Sequence, residues 1–174
     1  MVRRQLTLIL ALVGAALAVG APVLALASSG ASHASAELRD AGGAVVGWAD
    51  FTEDSAGRLH VNVHVSGVSA GLHGIHIHNT ADCTPPFTSA GGHHNPLGAT
   101  HGDHAGDLPN LIVNVAGIGH LDATSDRASL SNGPTTVFDA NGSALIIHAG
   151  EDDLHTDPTG NSGGRIACGV IVAD

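Results

Sequence analysis

The stretch Gly74–Asp107, GIHIHNTADCTPPFTSAGGHHNPLGATHGDHAGD, decides how the rest of the chain is read. It opens with His76 and His78 one residue apart. On a β-strand, residues i and i+2 point to the same face, so the two imidazoles converge on one point. The run then turns Pro/Gly/Ser-rich, and His93, His101, His104 and Asp107 follow within it. Imidazoles joined by a carboxylate form a ligand set suited to zinc or copper.

Outward from this stretch the chain reads as short strands with turn punctuation. AELRD from Ala36, VVGWADF after Gly42-Gly43 and RLHVNVHVSG after the turn at Asp54 to Gly57 precede GIHIHNT; LIVNVAG, GHLDATS, SALIIHA and GRIACGVIVA follow it. Eight strands predict an antiparallel sandwich or flattened barrel with very little helix. Two connections are long against this economy, 79–107 and 150–164, and loops of that length in compact domains are usually functional. His60 and His64 alternate with valines and read as the wet face of a strand. His33 is read as incidental.

Composition agrees. A chain of 174 residues with 24 glycines and 2% aromatic residues must build one core from Val, Ile, Leu and Ala between tight turns. A formal charge of -10 with only six Lys and Arg excludes a nucleic-acid surface, which needs clustered cations.

Residues 1–27 have a basic start, an apolar run and the small-residue ending Ala25-Leu26-Ala27, the architecture of a secretory signal peptide. Left uncleaved, the run is long enough to anchor the chain in a membrane. Residues 28–35, SSGASHAS, are expected to be a flexible linker, and 36–174 the folded domain. Export places the protein in the periplasm, cell envelope or extracellular space. In such an oxidising compartment the even pair Cys83 and Cys168 reads as a disulfide.

The motifs GLHGIHIH, TSAGGHHNP, HAGDL, IIHAGEDDL and GNSGGRIACGVI, in this order over 37–174, resemble the exported bacterial copper/zinc superoxide dismutases. The resemblance implies an all-β, eight-stranded antiparallel Greek-key barrel with two long functional loops. It implies one copper per subunit on His76, His78, His93 and His148, and one zinc on His93, His101, His104 and Asp107, with His93 bridging the metals. Asp152 matches the family's carboxylate behind the ligands, with His76 and His101 as its expected partners. Arg165 matches the guanidinium beside the open copper face, where it attracts and orients a small anion. Gly74 and Gly92 fit places where backbone crowds the metals, and fit a plain turn role equally well.

The implied activity is dismutation of superoxide to oxygen and hydrogen peroxide by an oxidoreductase, with Arg165 and His93 as its catalytic residues. The rival reading is a non-enzymatic exported protein that buffers copper or zinc on the same barrel. The protein is expected to be a monomer or a homodimer. His94 departs from the family, which often has an aromatic residue there, and reads either as an extra solvent-facing imidazole, the reading preferred, or as a group packed behind the metal ligands. The acidic loop carries Pro158 where a steering Lys is often found, so attraction of the substrate rests on Arg165, with His155 a partial substitute when protonated. Intact mass spectrometry of the exported protein is expected to give a chain that starts at Ser28; retention of residues 1–27 on soluble cytoplasmic protein would remove the signal reading.

Overall fold

The computed structural model describes residues 32–174; the expected signal segment and the first part of the linker lie outside them. Ten strands form one sheet: β1 His33–Asp40, β2 Val45–Glu53, β3 Leu59–Ser66, β4 Gly71–His73, β5 Ile75–His78, β6 Leu111–Val113, β7 Ile118–Ser125, β8 Ala144–His148, β9 Arg165–Val170 and β10 Val172–Ala173. Their spatial order is β4-β6-β7-β3-β2-β1-β9-β8-β5, with β10 paired to β1, and all named strand pairs are antiparallel. The edges β4 and β5 are consecutive in the chain with only Gly74 between them, so the sheet curls into a nearly closed barrel. The 3₁₀ turn Thr88–Ala90 is the one helical element among the described residues.

Hairpins form where a side-chain acceptor starts a turn that a glycine finishes. Asp54 Oδ1 accepts from the amides of Ala56 and Arg58, and Gly57 lies at φ 78°. Asn114 Oδ1 accepts from those of Ala116 and Ile118, with Gly117 at φ 76°. Asp and Asn satisfy turn amides with their own side chains, and glycine enters the left-handed region without a steric cost. Between turns the period is two. Leu59, Val61, Val63 and Val65 of β3 enter the core, whereas His60 and His64 stay outside as expected. The main core is aliphatic apart from Phe51: Leu38, Ile75, Ile77, Leu111, Leu145 and Ile147 are fully buried within it.

Three boundaries differ from the sequence expectation. β1 begins at His33, so residues 33–35, expected in the linker, belong to the sheet, and the folded domain starts before the expected Ala36. The expected eight strands become ten because Gly71–His73 pairs with β6 before Gly74 kinks the chain, and because β10 breaks from β9 at Ile171, whose amide turns to Ser143 O.

β8 is buried on both faces. Leu145 and Ile147 enter the barrel, whereas Ala144 and Ile146 pack outward with Phe87, Ala90 and Cys168 under the loop that follows β5. Cys83 of that loop is bonded to Cys168 of β9, with 5.6 Å between the Cα atoms. Closing a span of 85 residues contributes about 4 kcal/mol in the loop-entropy account. Cys83→Ser is therefore expected to cost roughly 2–4 kcal/mol, read as a lower melting temperature under non-reducing conditions; an unchanged value would deny the bridge any stabilising role.

Candidate metal centre

β5 places Ile75 and Ile77 in the core and His76 and His78 on the opposite face. These imidazoles are buried because the loop 79–107 folds back along the free edge of β5. Ile77 N bonds Gly106 O at 2.9 Å, His94 N bonds Ile77 O at 2.8 Å, and Asn79 N bonds Gly92 O at 3.0 Å. The same pairing sets His93 opposite His78 and Asp107 opposite His76. It requires a glycine: a Cβ on Gly106 would stand 2.1 Å from Ile77 O. His148 arrives from the end of β8, its amide bonded to Gly74 O at 2.8 Å.

Two donor sets result, all seven residues buried: His76, His78, His93 and His148; and His93, His101, His104 and Asp107. Hydrogen bonding behind the rings decides which nitrogen faces inward. His78 Nδ1 donates to Gly91 O at 2.9 Å and His148 Nδ1 to Gly163 O at 3.1 Å, so both Nε2 lone pairs turn toward each other, 3.4 Å apart. Asp152, itself 1% exposed, takes His76 Nε2 on one oxygen at 2.6 Å and His101 Nε2 on the other at 2.8 Å. That leaves His76 Nδ1 and His101 Nδ1 buried with no partner, and His93 Nε2 is equally bare. Buried polar atoms without partners are costly, and here they are the atoms that complete the two sets.

The second set fits a tetrahedral ion. Ligands about 2.0–2.1 Å from zinc lie about 3.3 Å from one another. His101 Nδ1 and Asp107 Oδ2 are 3.4 Å apart, His104 Nδ1 and Asp107 Oδ1 3.3 Å, and His104 Nδ1 and His93 Nδ1 3.4 Å. His93 Nδ1 is closer to Asp107 Oδ1, at 2.8 Å, and that ring alone belongs to both sets. The first set, four imidazoles and no carboxylate, has donors that suit copper or zinc.

Arg165 opens β9 in register with His148. Its guanidinium donates to Phe87 O and Gly91 O, both on the loop that the disulfide ties to β9. Gly91 O therefore serves the His78 ring and the arginine together. Several contributors carry weaker sequence signals. Asn110 clamps the Asp152 backbone by two 2.8 Å bonds, and Asp157 Oδ1 accepts from His101 N at 2.6 Å. His73 Nδ1 donates to His148 O at 2.7 Å. Gly160, at φ 60°, leaves space for Asp152, whose Oδ1 would lie 1.7 Å from a Cβ there. Gly74 is crowded as expected, 2.7 Å from Ser162 Cβ by the same test, but Gly92 faces open space.

His94 does not face solvent. It is 2% exposed, with Nε2 3.3 Å from Thr135 O, and fills the place expected of an aromatic ring. His155 is exposed, with Nδ1 3.8 Å from Asp153.

Comparison with known proteins enters on this geometry. Residues 45–171 match the family described as copper/zinc superoxide dismutase. A superoxide dismutase [Cu-Zn] of Deinococcus radiodurans is 40% identical over 176 residues, covering 90% of this chain and 93% of the relative. Superoxide dismutase [Cu-Zn] 2 of Aquifex aeolicus is 40% identical over 147 residues, covering 79% and 85%. The crystal structure of a SOD-like protein from Bacillus subtilis superposes with a TM-score of 0.75 at 36% identity, covering 83% of this chain and all of that one.

Burial holds His78 down to a pKa of about 2 and His148 to about 4, with the neighbouring imidazoles and the Arg165 charge adding to the effect. Burial would raise the pKa of Asp107, but the His93 hydrogen bond and the surrounding rings bring it down to about 2. In the unfolded chain the imidazoles titrate near 6.5 and the carboxylate near 3.9. Below about pH 6.5 the unfolded state therefore takes up protons that folded His78 and His148 refuse, and stability falls with falling pH. Asp107 adds a loss of the same sign between about pH 4 and 2. Calorimetry of the metal-free protein is expected to show a level melting temperature above pH 7 and a fall of several degrees between pH 6.5 and 4.5; a level profile throughout would contradict neutral, buried His78 and His148.

Proposed function

The chain belongs to the copper/zinc superoxide dismutase family, and from that premise we propose how its own residues carry out the family's reaction, the dismutation of superoxide to oxygen and hydrogen peroxide. Copper and zinc are its metals. We assign copper to His76, His78, His93 and His148, and zinc to His93, His101, His104 and Asp107. The observation that carries the assignment is the single ring shared between two buried donor sets, with partnerless nitrogens on His76, His93 and His101.

When bound, copper supplies the one-electron couple that oxidises one superoxide and reduces a second, and zinc supplies a fixed positive charge on the other side of the shared ring. The protein's part is to attract the anion, orient it and provide protons. Arg165 is the cation beside His78 and His148 on a chain of formal charge -10, and its two carbonyl acceptors hold it in place. It draws superoxide in and offers it N–H donors. His93 handles a proton. Its Nε2 has no partner in the protein, so this atom can take a proton and release it as peroxide forms. Asp152 keeps the rings of His76 and His101 in one tautomer through successive turnovers.

The leader at residues 1–27 and the bridge between Cys83 and Cys168 support action outside the cytoplasm, against superoxide in the periplasm, envelope or surrounding medium. Metal buffering alone gives the Arg165 charge no anion to attract.

Arg165→Glu is expected to lower the bimolecular rate with superoxide by about one to two orders of magnitude and to weaken its decrease with added salt, while copper and zinc contents stay the same. Arg165→Lys is expected to fall between, because the charge survives and the planar fork is lost. Pulse radiolysis together with metal analysis reads both, and a wild-type rate in the Glu variant would favour a buffering protein.

A further inference from the structure

We propose that metal ions reach the centre through the cavity between the loop 79–107 and the connection 126–143, a transit site for divalent cations that delivers them to His93. The inference deepens the metal assignment above and rests on it. The cavity has a volume of about 270 Å³, and its lining includes Asn79, His93, His94, Asn95, Asp139 and Asn141. Its walls are tied together. Ala81 N bonds Asn141 O at 3.0 Å across the two segments, and the Asn95 side chain holds Ala99 O and Ala99 N, each at 2.9 Å. Asp139 is fixed as well: its Oδ1 accepts from Asn141 N at 2.9 Å and its carbonyl from Gly142 N at 3.1 Å. An exposed carboxylate therefore stands at the rim, close enough for its charge to act on the buried His94 ring.

Charge separates this opening from the others that lead to the donors. Beside His78 and His148 stands Arg165, and a guanidinium that attracts an anion opposes an arriving metal cation by the same law. A second cavity, of about 210 Å³, reaches Asp107 and Asp152, but Arg127 lines it. No Lys or Arg lines the cavity at His93. There the Asp139 carboxylate raises the local concentration of cations, and the side-chain carbonyls of Asn79 and Asn141 can replace part of an ion's water shell. His93 connects the cavity to the centre, because it is the one ring in both donor sets and an ion arriving there meets a ligand of either. Oxygen donors of this kind hold copper and zinc less firmly than imidazoles do, so the ion passes on instead of stopping. Substrate and metal thus enter by separate routes of opposite charge.

Stopped-flow absorption of the metal-free protein mixed with Co²⁺ or Cu²⁺ at an ionic strength of about 10 mM reads the uptake rate. Asp139→Asn, which keeps an acceptor for Asn141 N, is expected to slow uptake about threefold or more, and Asp139→Lys at least about tenfold, with both differences shrinking at about 1 M salt. Final metal contents, and superoxide turnover of the loaded variants, should match the wild type. Arg165→Gln should take up metal at the wild-type rate. A wild-type rate in Asp139→Lys overturns the route and leaves the metal assignment standing; if Arg165→Gln is then faster, entry lies at the copper face. Slowing that persists undiminished at about 1 M salt also overturns it, because Asp139 would then act on the fold and not on the ion. A wild type that takes up neither ion overturns the metal assignment and the route together.

Discussion

A carboxylate shut away from water governs the metal-binding half of this molecule. Asp152 is held ionised against its own burial by hydrogen bonds from His76 and His101 and by the Leu154 amide at 2.6 Å. An unpaired carboxylate in that position would be prohibitively costly, so the surroundings must be arranged around it. They are: Asn110 fixes its backbone, Gly160 leaves it space, and Gly74 lets β5 approach. One buried charge thus holds a ring of each donor set in place. The two sets are linked a second time by His93, and displacement of either metal's ligands therefore acts on both.

The barrel supplies rigidity and the loops supply chemistry, and the division follows from which face of each strand is covered. β3 keeps one face wet and reads as a clean alternation. β5 and β8 are buried on both faces, so their histidines are enclosed although they point away from the barrel core. Enclosure keeps His78 and His148 unprotonated and available as donors. The disulfide ties the covering loop down beside Arg165, where Phe87 O and Gly91 O receive the guanidinium.

Much of this was legible in the chain. The period-two strands, the Asp and Asn turns closed by glycine and the spacing of His76 and His78 all derive from local rules, and the structure follows them. The shortfalls are non-local. Nothing in Gly71–His73 marks it as a strand until β6 is alongside, and nothing in SHAS announces that β2 and β10 will capture it. The same holds for His94, polar by type yet buried because Thr135, 41 residues on, lies across it. Gly106 and Gly160 are two glycines among 24, and only the approach of Ile77 O and Asp152 distinguishes them. Asn110, Asp157 and His73 act through backbone groups, which leave no trace in residue type.

The loop that lies along β5 has another consequence. An uncovered strand edge offers unpaired amides and carbonyls to any extended chain, and folded proteins avoid leaving one exposed. Here the edge Ile75–His78 is covered by backbone of the loop that also brings in His93 and Asp107. Metal binding and edge protection thus use the same segment. A chain in which that segment came away would present the Ile/His edge of β5 to its counterpart in another molecule, so whatever holds His93 and Asp107 in place also guards against strand pairing between molecules.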